Sequence, residues 1–390
     1  MRRLAHFNVM PLGLVFALGA LCLSPAAAGP LPDAFTLGKC VPADSWMYVH
    51  AVTNPERAWL NARWHEIIAE FKKTGVDQDF IKLFMSLLGD SERAAAQATM
   101  DKVLTLIQGV NWSDLTDKEF VFAERPSGSM LGFDYIMIAK GKAGTGEANV
   151  AGLVSIMKEA ATVSGATLNQ SKVHEADVWE VTHEGLSKIG LSIALFRYQD
   201  TIGLLTGRKT LEEVVGMLTG KSQAKSLINA PRFQEALALV EAPADSIAFF
   251  DWKMFASSLR TMFENIAKKA ATEKSEPGTA NAKQPEGMKV ITTLLDRADV
   301  FEYAISSVAM KGNREFCWNA TRLQSGKESS PLAKAMLNRK AFEKFDQFIP
   351  AEATGFSLTG FVDLEVLYDM VLDFIAKVIP DGPGTVAQWN

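Results

Sequence analysis

The stretch closest to a phosphate-binding loop is Gly216-Met217-Leu218-Thr219-Gly220-Lys221-Ser222. Such a loop needs four residues between its glycines so that successive amides can cradle phosphate oxygens. Here there are three, and the segment follows a helical pattern instead of a strand, which predicts a glycine-terminated helix end. Gly141-Lys142-Ala143-Gly144-Thr145-Gly146 has glycines and a helix soon after, but neither the dinucleotide spacing nor a parallel βαβ setting, so a flexible loop is expected. His65-Glu66 opens like a zinc-protease helix, yet the position four after His65 is Ala69, which cannot ligate a metal. His174, Glu175 and Asp177 lie near His183 and Glu184, but a tight hairpin turning at Glu175-Ala176 sends His183 to the far end from His174. No metal or other cofactor is therefore expected, and no serine or cysteine stands in a recognisable nucleophile setting.

Three acids recur at one place in a repeated motif: Asp44, Asp245 and Glu352. Two of them facing one cleft would make a general acid and base for a hydrolase; their turn-like surroundings also account for them. Trp59, Trp112, Trp179, Trp252 and Trp318 are candidates for lining a carbohydrate or peptide groove, and equally for core packing. Cys40 and Cys317 form a candidate disulfide pair, with two separate thiols as the alternative.

The elements around these residues follow a repeat. Val41-Pro42-Ala43-Asp44-Ser45, Ala242-Pro243-Ala244-Asp245-Ser246 and Ile349-Pro350-Ala351-Glu352-Ala353 each lead into a strand-like run, namely Trp46 to Val52, Ile247 to Asp251 and Thr354 to Thr359. A helix follows each run, with apolar stripes Leu60, Trp64, Ile67, Ile68, Phe71, then Phe255, Leu259, Met262, Phe263, Ile266, then Leu367, Val371, Phe374, Ile375, Val378. One spacing in three stripes places each set on a single helical face. A second helix, at Met100 to Gln108 and again at Met288 to Asp296, precedes strand pairs, Glu119 to Glu124 with Phe133 to Lys140, and Val300 to Met310 with Glu315 to Leu323. The unit reads strand, helix, helix, strand, strand, and the third copy stops after its helix. Between the copies the pattern predicts a helix near Val150 to Val163, four strands from Thr167 to Thr206 and a helix near Leu211 to Leu218. The fold class is α+β: antiparallel sheets backed by amphipathic helices.

Arg2 and Arg3, the apolar run Val9 to Leu23, Pro25 and the small residues Ala26 to Ala28 are the three parts of a signal peptide, with cleavage expected after Ala28. The expected layout is a signal peptide at 1–28, a first repeat domain at 29–225, a second with the partial third copy at 226–390, and a mobile surface loop at 268–287. Losing Arg2 and Arg3 leaves 38 basic against 45 acidic residues, a net charge of −7. No basic cluster interleaved with aromatics occurs, so nucleic acid is an unexpected partner, and no later apolar stretch is long enough to span a bilayer.

The Pro-Ala-Asp-Ser entry, the strand and amphipathic helix after it, and Ser226-Leu227 through Phe233 resemble an exported bacterial family of unknown function, over most of residues 40–379. That resemblance implies an envelope location, periplasmic or extracellular, and supplies no catalytic residue. Together these readings favour a non-catalytic exported structural or binding module whose partner is a protein or cell-surface polymer. The alternatives are a carrier for an apolar ligand and a carboxylate-dependent hydrolase.

Overall fold

The computed structural model describes residues 31–55, 110–129, 132–241, 245–273, 299–311, 314–337 and 364–378, with isolated helical positions between them. A 3-10 helix, Thr36–Cys40, leads into β1 (Met47–Val52), then α1 (Trp112–Leu115), β2 (Glu119–Pro126) and β3 (Phe133–Lys140). After α2 (Gly146–Ser164) come β4 (Thr167–Val173), β5 (Ala176–Thr182), α3 (Glu184–Lys188), β6 (Ile193–Tyr198), β7 (Thr201–Thr206) and α4 (Arg208–Leu218). The second half holds α5 (Pro231–Leu237), β8 (Ser246–Asp251), α6 (Trp252–Glu273), β9 (Phe301–Lys311), β10 (Arg314–Leu323), α7 (Pro331–Leu337) and α8 (Leu364–Val378).

The ten described strands form one antiparallel sheet in the order β10-β9-β8-β1-β2-β3-β7-β6-β5-β4. β2 shows why the sheet has a core face: Glu119, Val121, Ala123 and Arg125 are buried and alternate with partly exposed neighbours, the period of two that a pleated strand imposes. Register carries that face across the sheet, aligning Tyr48 with Ala123 and Phe249, and Ile136 with Leu205. Those residues, with Leu211, Val214 and Val215 of α4 and Phe233, Ala236 and Leu237 of α5, make the main core. On the opposite face α2 covers Leu195 and Ile202, while Ala256 and Leu259 of α6 pack with Leu295 and the ring of Phe133.

The halves 29–225 and 226–390, expected to be separate domains, share this sheet and its core, because β1 pairs with β8. Residues 268–273, expected to open a surface loop, continue α6 to Glu273. The Ala-rich run before Glu273 favours helix, and the first breakers are Pro277 and Gly278. The remainder of that loop, the first helical stripe and the third Pro-Ala motif with its strand and Glu352 lie outside the described residues. In α8 the expected buried position Val371 is 51% exposed, and Leu372 is buried instead. Among the described residues, no helix is long and apolar enough to cross a membrane.

Candidate functional site

Three groups of polar side chains gather where loops meet the sheet. The first lies inside it. β1 and β2 are in register, so His50 and Glu119 face the core on adjacent strands. The Glu119 carboxylate accepts from His50 Nε2 at 2.9 Å, from the Leu37 amide at 2.9 Å and from Thr36 Oγ1 at 2.5 Å. His50 Nδ1 is then left to accept from the Tyr48 hydroxyl at 2.5 Å. Burial lowers the His50 pKa, against the opposing pull of Glu119, so the imidazole is the neutral Nε2–H form. Burial works to raise the Glu119 pKa, but its donors outweigh that and hold the carboxyl below the usual range. A Cβ on Gly38 would lie 2.7 Å from the Tyr48 oxygen, so the 3-10 turn can approach only as glycine. The network clamps the chain entering β1 onto the sheet; Tyr48, His50 and Glu119 are all essentially buried, leaving no room for a substrate.

The second group is centred on Arg125 at the end of β2. Its guanidinium donates to Asp44 at 2.7 Å and to Glu213 of α4 at 2.5 Å. Burial lowers its pKa, and the two carboxylates more than reverse that. Asp134 on β3 accepts from Thr210 at 2.6 Å; burial raises its pKa. Gly207, at φ +82°, passes so close that a Cβ would fall 2.2 Å from this carboxylate.

Asp44 is therefore one arm of an ion-pair bridge between the entry turn, β2 and α4. Asp245 lies at the other end of β1: its carbonyl accepts from the Val52 amide, and its carboxylate accepts from Asn54. Six strand residues separate the two ends, about 17 Å, against roughly 5–10 Å for the carboxyl pair of a glycoside hydrolase. Asp44 and Asp245 do not share a cleft. Cys40 and Cys317 are both free, the first buried and the second exposed. Burial, with Glu119 nearby, pushes the Cys40 thiol up to about 12, which leaves it inert.

The third group borders an open cleft of about 420 Å³ between the β2–β3 hairpin and α6. Asp251, at the end of β8, caps α6 by accepting from the Met254 amide at 2.8 Å. The same carboxylate holds Arg232 through contacts of 2.8 and 2.7 Å, placing that guanidinium on the cleft wall. Gly132, at φ +80°, seats the hairpin on α6, where a Cβ would lie 2.8 Å from Met262. Lys253, Ser257, Thr261 and Asn265 also line the cleft.

The remaining sequence candidates take structural places. Gly216 lies within α4 and Gly220 follows its end at φ +71°, while the Lys221 and Ser222 amides donate to the Gly216 carbonyl. At 141–146 the anion site is occupied internally, since the Gly144 amide donates to the Asp200 carboxylate at 2.9 Å. His174 and Glu175 form the turn of β4 and β5, and His183 caps α3 at the far end, as the hairpin reading expects. Among the described residues no three His, Cys, Asp or Glu side chains are grouped as a metal site. Trp179 packs under α2, Trp252 joins Phe250 and Phe255, Trp318 stacks on Phe316, and Trp112 is 47% exposed. His65 and Trp59 lie outside the described residues. The buried His50–Glu119 pair and the Asp251–Arg232 pair escaped the sequence reading, because each links strand positions to residues brought close only by pairing or by a helix turn.

No family model and no curated protein matches the chain. Among solved structures, two crystal forms of TP0453 align with it. Form III gives a TM-score of 0.33 at 12% identity, over 82% of this chain and 88% of that one. Form I gives 0.31 at 10%, over 81% and 88%. Likeness at that level carries no argument about this chain.

Proposed function

We propose that this chain is a non-catalytic exported envelope protein that works as a structural or binding module. The observation that carries the reading is that these buried charged groups are taken up in holding the fold: Glu119 fastens the chain before β1, Arg125 ties the entry turn to α4 through the Asp44 and Glu213 carboxylates, and Asp251 caps α6. Export rests on Arg2, Arg3, the apolar run and Ala26 to Ala28. The repeat reading draws support from the sheet centre, where β1 and β8 pair about a local two-fold with the β2–β3 and β9–β10 strands outside them. The cleft on α6 mixes Arg232, Lys253 and the hydroxyl and amide groups of Ser257, Thr261 and Asn265 with the apolar Pro126, Met254 and Met262, and its wall is more apolar than polar.

The test is a panel of chromogenic glycosides, esters and phosphoesters offered to the mature chain, beside mass spectrometry of what accompanies it from the envelope. We expect no turnover and a stoichiometric companion molecule. Turnover abolished by Asp44→Asn or Glu119→Gln would contradict the proposal.

A further inference from the structure

Met254, Ser258 and Met262 are spaced by four along α6, so they stand one above another on a single ridge of the helix, about 12 Å long at helical rise. All three line the cleft. Ser258 is buried and its hydroxyl donates to the Met254 carbonyl at 2.8 Å. Thr261, on the next ridge, likewise donates to the Ser257 carbonyl at 3.0 Å. Hydroxyls bonded back to their own helix have no proton left for a guest. From the hairpin, Pro126 adds a ring to the wall, and Gly132 meets Met262 at the far end of the ridge. The charge lies at the other end. The lining contains two cations, Arg232 and Lys253, and no carboxylate. Arg232 is taken up by Asp251, with Glu302 at 4.0 Å, whereas Lys253 at the start of α6 has no ion-pair partner among the described residues. The cleft is thus an apolar track with one uncompensated positive charge at its head.

From this arrangement we propose that the cleft binds a fatty acid, its alkyl chain along Met254 and Met262 and its carboxylate at Lys253 beside Arg232. The proposal rests on the binding-module reading and names the ligand class of that module. Methionine is unbranched and polarisable, so two of them on one ridge adjust to a flexible chain. The volume of about 420 Å³ falls among small-molecule sites, which pair an apolar wall with a few polar groups that fix orientation. A compact anion would engage the charged end and leave the ridge unused.

Isothermal titration of the mature chain with dodecanoate, octanoate and dodecyltrimethylammonium, each below its micelle-forming concentration, tests this. Dodecanoate is expected to bind. Each methylene taken out of water strengthens binding about fourfold, so octanoate should be at least about tenfold weaker even where an open cleft covers the chain only in part. Dodecyltrimethylammonium carries the same chain with the opposite charge and should also be at least about tenfold weaker. Lys253→Glu should weaken dodecanoate about tenfold, and Thr261→Trp, which fills the cleft from an exposed position, should abolish its binding. Unchanged thermal unfolding of both variants without ligand would show that they fold. Octanoate or the ammonium binding as tightly as dodecanoate, affinity unmoved by both substitutions, or no binding at all would overturn the proposal. Each of these results leaves the non-catalytic reading to the turnover panel, so the two fail separately.

Discussion

Glu119 and His50 meet on the core face of adjacent strands, and both resist protonation there, which fixes the sign of a pH effect. The folded-state pKa of His50 lies below its ordinary 6.5, so on acidification the unfolded chain takes up that proton first and stability falls from about pH 6.5 downward. Glu119, held below 4.5, adds a second loss below about pH 4.5. Urea unfolding across pH 4–8 should show both, and His50→Gln should flatten the upper step. Glu119→Gln should cost about 1–3 kcal/mol at pH 7 by weakening the bonds that hold Thr36, Leu37 and His50. Glu124 behaves oppositely. Burial between Met47 and Tyr135 pushes its carboxyl up to about 7, so the folded state keeps a proton that the unfolded chain loses above about 4.5. Stability from this group is full at low pH and is lost as pH rises through 7. Glu124→Gln should therefore stabilise the protein by about 1–3 kcal/mol at pH 8 and leave it unchanged near pH 4, read by urea midpoints. Little of this was legible in the sequence. Alternation puts Tyr48 and His50 on one face, but the residue opposite His50 is set by a β1–β2 register linking positions about 70 apart.

At the scale of the element, periodicity said much more. The strands of both β2–β3 and β9–β10 fall within two residues of their expected bounds, and α6 buries Leu259 as its stripe requires. Leu259→Ala should cost about 2–5 kcal/mol, while Lys253→Ala, on the exposed side, should leave the unfolding midpoint nearly unchanged. In α8 the stripe through Val371 misplaces the buried side by one residue, about 100° around the helix. Four charged residues, Glu365, Asp369, Asp373 and Lys377, recur at every fourth position, and the apolar residues between them leave the direction of packing to the tertiary partner, here α7. Leu372→Ala should thus destabilise by about 2 kcal/mol or more, and Val371→Ala by less than about 0.5. Gly207→Ala combines a positive φ with a collision against Asp134, and should lower the melting temperature sharply.

Over the whole molecule, the sequence reads the motif before β8 as a repeat of the one before β1, but it gives no sign that β8 pairs with β1 and joins the halves in one sheet. Pattern locates strands; it does not say which strands meet. The merger implies one cooperative unfolding transition for the described sheet, followed equally by tryptophan fluorescence and far-UV circular dichroism. Residues 29–225 expressed alone would leave β1 as a bare edge and should associate or aggregate. The proposed function rests on the same architecture, in which Glu119, Arg125 and Asp251 are each engaged in holding the fold. Its central claim is tested most directly by native mass spectrometry of the chain recovered from the envelope. The account expects residues 29–390 carrying a non-covalent companion; a bare chain that retains residues 1–28 would contradict it.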